Sequence, residues 1–122
     1  MNESPILDRA ALENLHRLGG PKFVLKMIDL FLSYVAGKIA EARSALAAGD
    51  VRGVEKAAHP IRSSAANIGA RHVQDLAQRL ESQAAQKKSD GLAQLVGELE
   101  QAFAALRPEL EATKQSSLCQ SP

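Results

Sequence analysis

Apolar residues recur along this chain at steps of three and four, the spacing of one face of an α-helix, and no stretch alternates as a half-buried strand would. Asp8 is placed to cap a short first helix carrying Ala11, Leu12, Leu15 and Leu18, which Gly19-Gly20 ends. Pro21 suits the first turn of a second helix. Its stripe is Phe23, Val24, Met27, Ile28, Phe31, Tyr34, Val35, Ile39, Ala42 and Leu46, and it stops at Gly49. At 1.5 Å per residue this helix is roughly 40 Å long. Asp50 caps a third helix with Val51, Val54, Ala58, Ile61, Ala65 and Ile68 inward, closed by Asn67 and Gly69. The fourth buries Val73, Leu76, Ala77, Leu80 and Ala84 and fades at Lys87-Lys88. Ser89 or Asp90 caps the fifth, whose stripe runs Leu92, Leu95, Val96, Leu99, Phe103, Leu106 and Leu110, with Pro108 expected to kink or close it. Residues 114–122 are polar without a period and read as a disordered tail. Short connections between long amphipathic helices predict an all-α fold. The expectation is an antiparallel up-and-down four-helix bundle over residues 1–113, with the short extra N-terminal helix as a lid.

Composition supports the helices and narrows the function. The 122 residues include 21 Ala and 16 Leu but only 3% aromatics and no Trp. A chain of this length is one domain that buries roughly two thirds of its unfolded surface. The one cysteine, Cys119, falls in the tail, so disulfide scaffolds and cysteine-based zinc sites are excluded. No apolar run approaches the 18 or so residues of a membrane span, and no signal peptide pattern opens the chain. With 15 basic against 14 acidic residues, the net charge of +1 lacks the basic excess of a nucleic-acid binder. Inward positions lack the paired Glu and His of a metal- or ligand-binding bundle. A small Ala-rich bundle has little room for a deep pocket, so its chemistry is expected on the surface.

His59 is the informative residue. It lies one position, about 100° of helical rotation, past the inward Ala58, so it should face solvent. Its neighbours on that face are Glu55, Lys56, Arg62, Ser63 and Ala66. Imidazole is a nucleophile near neutral pH, and a guanidinium at i+3 favours an anionic group placed on the ring. Ser63, at i+4, is too short to shield the ring from a partner, and Ser64 adds a polar group at the same end of the helix. His16 and His72 lack such company and read as surface residues.

The stretch His59-Pro60-Ile61-Arg62-Ser63-Ser64-Ala65-Ala66-Asn67-Ile68-Gly69 resembles the signature of histidine phosphotransfer (HPt) domains, roughly H-x-[LI]-[KR]-G-[SA]-[SA]-x-x-[LI]-G. His59 matches the phosphoacceptor, Ile61 and Ile68 the buried aliphatics, Arg62 the basic residue, Ser64 and Ala65 the small pair, and Gly69 the turn. Asp8 to Leu18, Phe31 and the pair Leu80-Glu81 extend the similarity to about residue 112. Two positions depart from the pattern. Ser63 replaces the usual glycine, and Pro60 removes a helical hydrogen bond to the Lys56 carbonyl at a cost of about 3 kcal/mol.

The resemblance implies a cytoplasmic phosphorelay intermediate, free-standing or the C-terminal domain of a membrane-bound hybrid kinase. A phospho-aspartyl receiver docks around His59, its phosphoryl group passes in line to Nε2, and the reverse step loads another receiver. Arg62 stabilises the phosphoryl oxygens, Ser63 and Ser64 give access and polar support, and Glu81 or Gln78 orients the other ring nitrogen. Mg²⁺ belongs to the partner receiver, and this chain is expected to carry no cofactor. With no Gly-rich phosphate loop, it is expected to be a phosphotransfer protein without autokinase activity. The implied partners are receiver domains and a hybrid sensor histidine kinase, with no nucleic acid and no membrane insertion, and the chain is expected to be a monomer. The alternative is a non-catalytic adaptor that binds a receiver or kinase with the same bundle.

Overall fold

The computed structural model describes residues 7–120, with side chains described as far as Gln115. Four helices make the fold: α1 (Arg9–Ala47), α2 (Val51–Ile68), α3 (Arg71–Ala85) and α4 (Leu92–Gln120). α1 packs on α2 and α4, and α3 packs on the same two, which closes the expected four-helix bundle. The expected short first helix and long second helix are the two arms of α1. They are divided at Gly20, whose backbone (φ 79°, ψ −175°) is not helical. Pro21 follows this break, where its missing N–H costs nothing.

Asp8 and Asp50 cap as expected, accepting from the N–H groups of Ala10 (3.0 Å) and Gly53 (2.9 Å). The α2–α3 turn is tied to the start of α1. Gly69 sits at φ 82°, the Ala70 N–H donates to the Ala65 carbonyl (2.9 Å), and the Asp8 N–H donates to the Gly69 carbonyl (2.6 Å). A Cβ at Gly69 would lie 2.4 Å from the Asp8 carbonyl oxygen, so glycine is required there twice over. At α4 the Leu92 N–H donates to the Ser89 backbone carbonyl (3.3 Å), in place of the expected side-chain cap from Ser89 or Asp90.

The core is filled by the stripes read from the sequence. Ile61 and Leu80 are fully buried, each stabilising the fold by about 1.5–3 kcal/mol. Phe31 of α1 meets Phe103 of α4 with ring centroids 6.1 Å apart, in a tilted pair. Two stripe residues are not core. Leu18 is 71% exposed because two successive steps of three from Leu12 rotate it about 120° off the stripe. Tyr34, three residues after Phe31, is displaced in the same sense and lies exposed, with the Lys38 ammonium 5.6 Å from its ring centre.

Both interior prolines are absorbed. α2 runs unbroken through Pro60 because Ala57, Ala58, Ile61 and Ala65 are buried on both sides of it. α4 continues through Pro108, where a kink or stop was expected, and stays helical past Lys114 to Gln120, where a tail was expected. Leu106 and Leu110 bury one face across the proline, and the Lys114 ammonium reaches Asp29 on α1 (2.6 Å) and Glu111 (3.3 Å). The side chain of Cys119 lies outside the described residues. No helix among the described residues is long and apolar enough to cross a membrane.

Two predictions follow from these contacts. Gly69→Ala should cost about 1–3 kcal/mol in urea denaturation, because the left-handed backbone and the Asp8 contact both penalise a Cβ. The Arg43 guanidinium donates to both oxygens of Glu100 (2.7 and 3.1 Å), joining α1 to α4, and this hydrogen bonding holds the Glu100 carboxyl below its ordinary range. A carboxyl depressed in the folded state stabilises fully above the ordinary carboxylate range and loses that contribution as pH falls through its lowered value. Arg43→Gln should therefore melt slightly below the wild-type protein at pH 7, and the difference should vanish in strong acid.

Candidate functional site

α2 and α3 bring together three side chains from two separated stretches of sequence. His59 is 58% exposed on the outer face of α2, one residue past the buried Ala58. Leu80 is buried on the inner face of α3, which turns the next residue, Glu81, to the rim of the α2–α3 seam. There Glu81 Oε2 lies 2.7 Å from His59 Nδ1 and Oε1 lies 2.9 Å from Arg62 Nε. The single carboxylate thus spans the seam and holds both residues.

The chemistry of these contacts fixes the ring. A carboxylate only accepts, so the Nδ1–H donates to Glu81, and Nε2 is the ring nitrogen that the carboxylate does not engage. Arg62 Nη2, 3.4 Å from Nδ1, then faces an N–H and is held by charge rather than by a bond to the ring. The Arg62 Nε–H is close to Oε1 but not aimed at it, and this buried nitrogen has no hydrogen-bond acceptor, so the Arg62–Glu81 contact is ionic. The result is an exposed imidazole whose Nδ1 is engaged by Glu81, beside a guanidinium whose outer nitrogens are not committed to a strong bond.

The other candidate positions separate. The Ser63 hydroxyl donates to the His59 backbone carbonyl (3.3 Å), so it is folded back on its own helix and leaves the ring uncovered. Ser64 lies instead in an apolar groove between α1 and α2, with Met27, Leu30, Phe31, Tyr34, Asn67 and Ile68, and is not brought to the ring. Gln78 faces the α3–α4 groove, which leaves Glu81 as the residue on the ring. His16 lines a different cavity, near the start of α1, and His72 is exposed.

Arg52 was not singled out in the sequence, Lys56 was named only as a neighbour on the His59 face, and Lys87 only as the end of the fourth helix. Arg52, Lys56 and Lys87 line a groove that runs along the α2–α3 seam and ends on His59 and Glu81. The signal for two of them was present, since residues seven and three before His59 share its helical face. Lys87 could not be read this way, because its placement depends on how α3 ends. Among the described residues, no group of three His, Cys, Asp or Glu side chains gathers where a metal ion could sit.

Comparison with known proteins is consistent with this geometry. The Hpt domain family model matches residues 26–115. The aerobic respiration control sensor proteins ArcB of Escherichia coli K12 and of Shigella flexneri are each 28% identical over 109 residues, covering 89% of this chain. The chain spans only 14% of the length of these relatives. The crystal structure of histidine-containing phosphotransfer protein B (HptB) from Pseudomonas aeruginosa PAO1 superposes with a TM-score of 0.89, covering 93% of this chain and 98% of that one at 23% identity, and so shares the fold. With the bundle, the motif and the family match in agreement, this chain belongs to the Hpt domain family, the histidine phosphotransfer domains of two-component relays.

Proposed function

We propose that His59 is the phosphoacceptor of this domain, with Arg62 and Glu81 as its two supports. The observation that carries this reading is the 2.7 Å contact between Glu81 and Nδ1 of a His59 side chain that is 58% exposed, an arrangement that reserves Nε2 for the incoming phosphoryl group.

In the forward step the Nε2 lone pair attacks the phosphorus of an aspartyl phosphate on a receiver domain. The N–P bond forms as the acyl O–P bond breaks, and the electron pair leaves with the aspartate carboxylate. Phosphorylation at Nε2 draws electron density from the ring and strengthens the Nδ1–H bond to Glu81, so the carboxylate supports the phosphorylated state more than the free one. The Arg62 guanidinium offsets the charge on the phosphoryl oxygens, and its planar fork suits this better than a lysine would. No proton has to leave the ring, so the reverse step, attack by a second receiver's carboxylate, needs no general base. The small Ser63 keeps the approach open. Mg²⁺ is assigned to the acidic pocket of the receiver. The partners in this reading are receiver domains and a hybrid sensor histidine kinase in the cytoplasm. The domain itself works as a monomer and makes no phosphohistidine from ATP.

Incubation with a receiver domain carrying aspartyl phosphate should give phosphate on this protein that is labile in acid and stable in base. His59→Gln should take up none, and Arg62→Ala should take it up more slowly by about tenfold or more. Native protein that takes up none would leave the adaptor reading in place of phosphotransfer. Nitrogen NMR of the unphosphorylated protein should show the neutral His59 ring protonated at Nδ1, and Glu81→Ala should move a substantial share of that proton to Nε2. A ring protonated mainly at Nε2 in the native protein contradicts the assigned role of Glu81.

A further inference from the structure

The groove that ends on His59 is unusual in its charge and in how one of its walls is built. Besides His59 and Glu81 it is lined by Arg52, Glu55, Lys56 and Lys87, with Val51, Ala84 and Ala85 as its apolar floor. Glu81 is already matched by Arg62, so three cations stand against the one remaining carboxylate, Glu55. Among the described residues none of the three forms an ion pair, which is also true of several cations elsewhere on the bundle, so what sets them apart is their convergence on one groove that ends on His59.

Lys87 is held there against local preference. α1, α2 and α3 end in the same kind of turn, with the N–H groups of Asp50, Ala70 and Lys88 donating to the carbonyls of Ala45, Ala65 and Gln83. The residue before the donor has a positive φ each time. It is Gly49 (71°) and Gly69 (82°) in the first two turns, but Lys87 (60°) in the third. Lys87 is the one positive-φ residue other than glycine among those described. A side chain in this conformation is strained, and the strain keeps an ammonium at the mouth of the groove where a glycine would be easier to accommodate. Pro60, one residue beyond His59, is a second local cost at the same place, since it leaves the Lys56 carbonyl without its helical N–H.

We propose that this groove is an electrostatic docking site for the acidic surface of the domain that exchanges phosphoryl groups with His59. Arg52, Lys56 and Lys87 set the encounter rate and the choice of partner. The inference rests on the phosphotransfer reading above. A domain bringing an aspartyl phosphate to His59 brings negative charge with it, and a cationic trough leading to the nucleophile speeds that encounter and orients it. These cations act on the partner, whereas Arg62 acts on the phosphoryl group. The two can therefore be separated by changing the donor.

The test compares a triple variant, Arg52→Gln with Lys56→Gln and Lys87→Gly, with the wild-type protein and two donors. One donor is a panel of receiver domains loaded with acetyl phosphate; the other is phosphoramidate, which needs no protein docking. At low ionic strength, uptake from the fastest receiver should fall about tenfold or more in the variant, and its dependence on salt should flatten. Uptake from phosphoramidate should stay within about twofold. Lys87→Gly alone should melt about 2–4 °C higher, because it relieves the strained turn, yet accept more slowly from the receiver. Unchanged transfer from the receiver overturns the inference. Equal loss with both donors overturns it as well, since it would place the cations on the phosphoryl group or the fold. A wild-type protein that accepts from neither donor overturns the phosphotransfer reading itself.

Discussion

One carboxylate bridges the seam between α2 and α3, and the site depends on it. Glu81 reaches His59 with one oxygen and Arg62 with the other. Its position is set by Leu80, fully buried one residue earlier, and the positions of His59 and Arg62 are set by Ala58 and Ile61 in the same way. Each polar residue of the site thus follows directly on a buried one. The core fixes the helix rotations, and the rotations fix the site. A shift of α3 by a fraction of a turn would take Glu81 out of reach of the ring and leave the tautomer unspecified.

The small residues serve this geometry. Ala58 and Ala65 on α2, with Ala77 and Ala84 on α3, are buried, and residues this small let the two helices approach closely enough for a glutamate to cross between them. The same economy leaves no enclosed active site. His59 is exposed, one guanidinium stands beside it, and in the proposed reading the rest of what phosphoryl transfer needs is left to the partner. The near-zero net charge conceals this arrangement. Cations and carboxylates nearly balance over the whole chain, yet three cations converge on the α2–α3 seam, where an anionic partner would approach.

Most of the fold was legible because its stops are local. Gly20, Gly49 and Gly69 break or end helices where the sequence says they should, and the stripes between them are the core. The prolines were misjudged for a physical reason. A local rule gives the cost of Pro108, but Leu106, Leu110 and the Lys114–Asp29 contact are tertiary terms that outweigh it. Tyr34 and Leu18 were counted as core from spacings of three, which drift off a stripe faster than spacings of four. At the site, His59, Arg62 and Ser63 share one helix face and could be read from spacing alone. Glu81 against Gln78 could not, because the choice turns on the rotation of α3 relative to α2. Lys87 was hidden for the same kind of reason, since its place follows from a turn that the sequence does not mark with glycine.

The central claim is that Glu81 holds the Nδ1 proton so that Nε2 alone can accept the phosphoryl group. The most direct measurement is long-range nitrogen and phosphorus NMR of the phosphorylated protein with labelled histidine. The account predicts phosphorus coupled to Nε2 of His59, with a proton retained on Nδ1. A phosphoryl group on Nδ1, or on any residue other than His59, would contradict it.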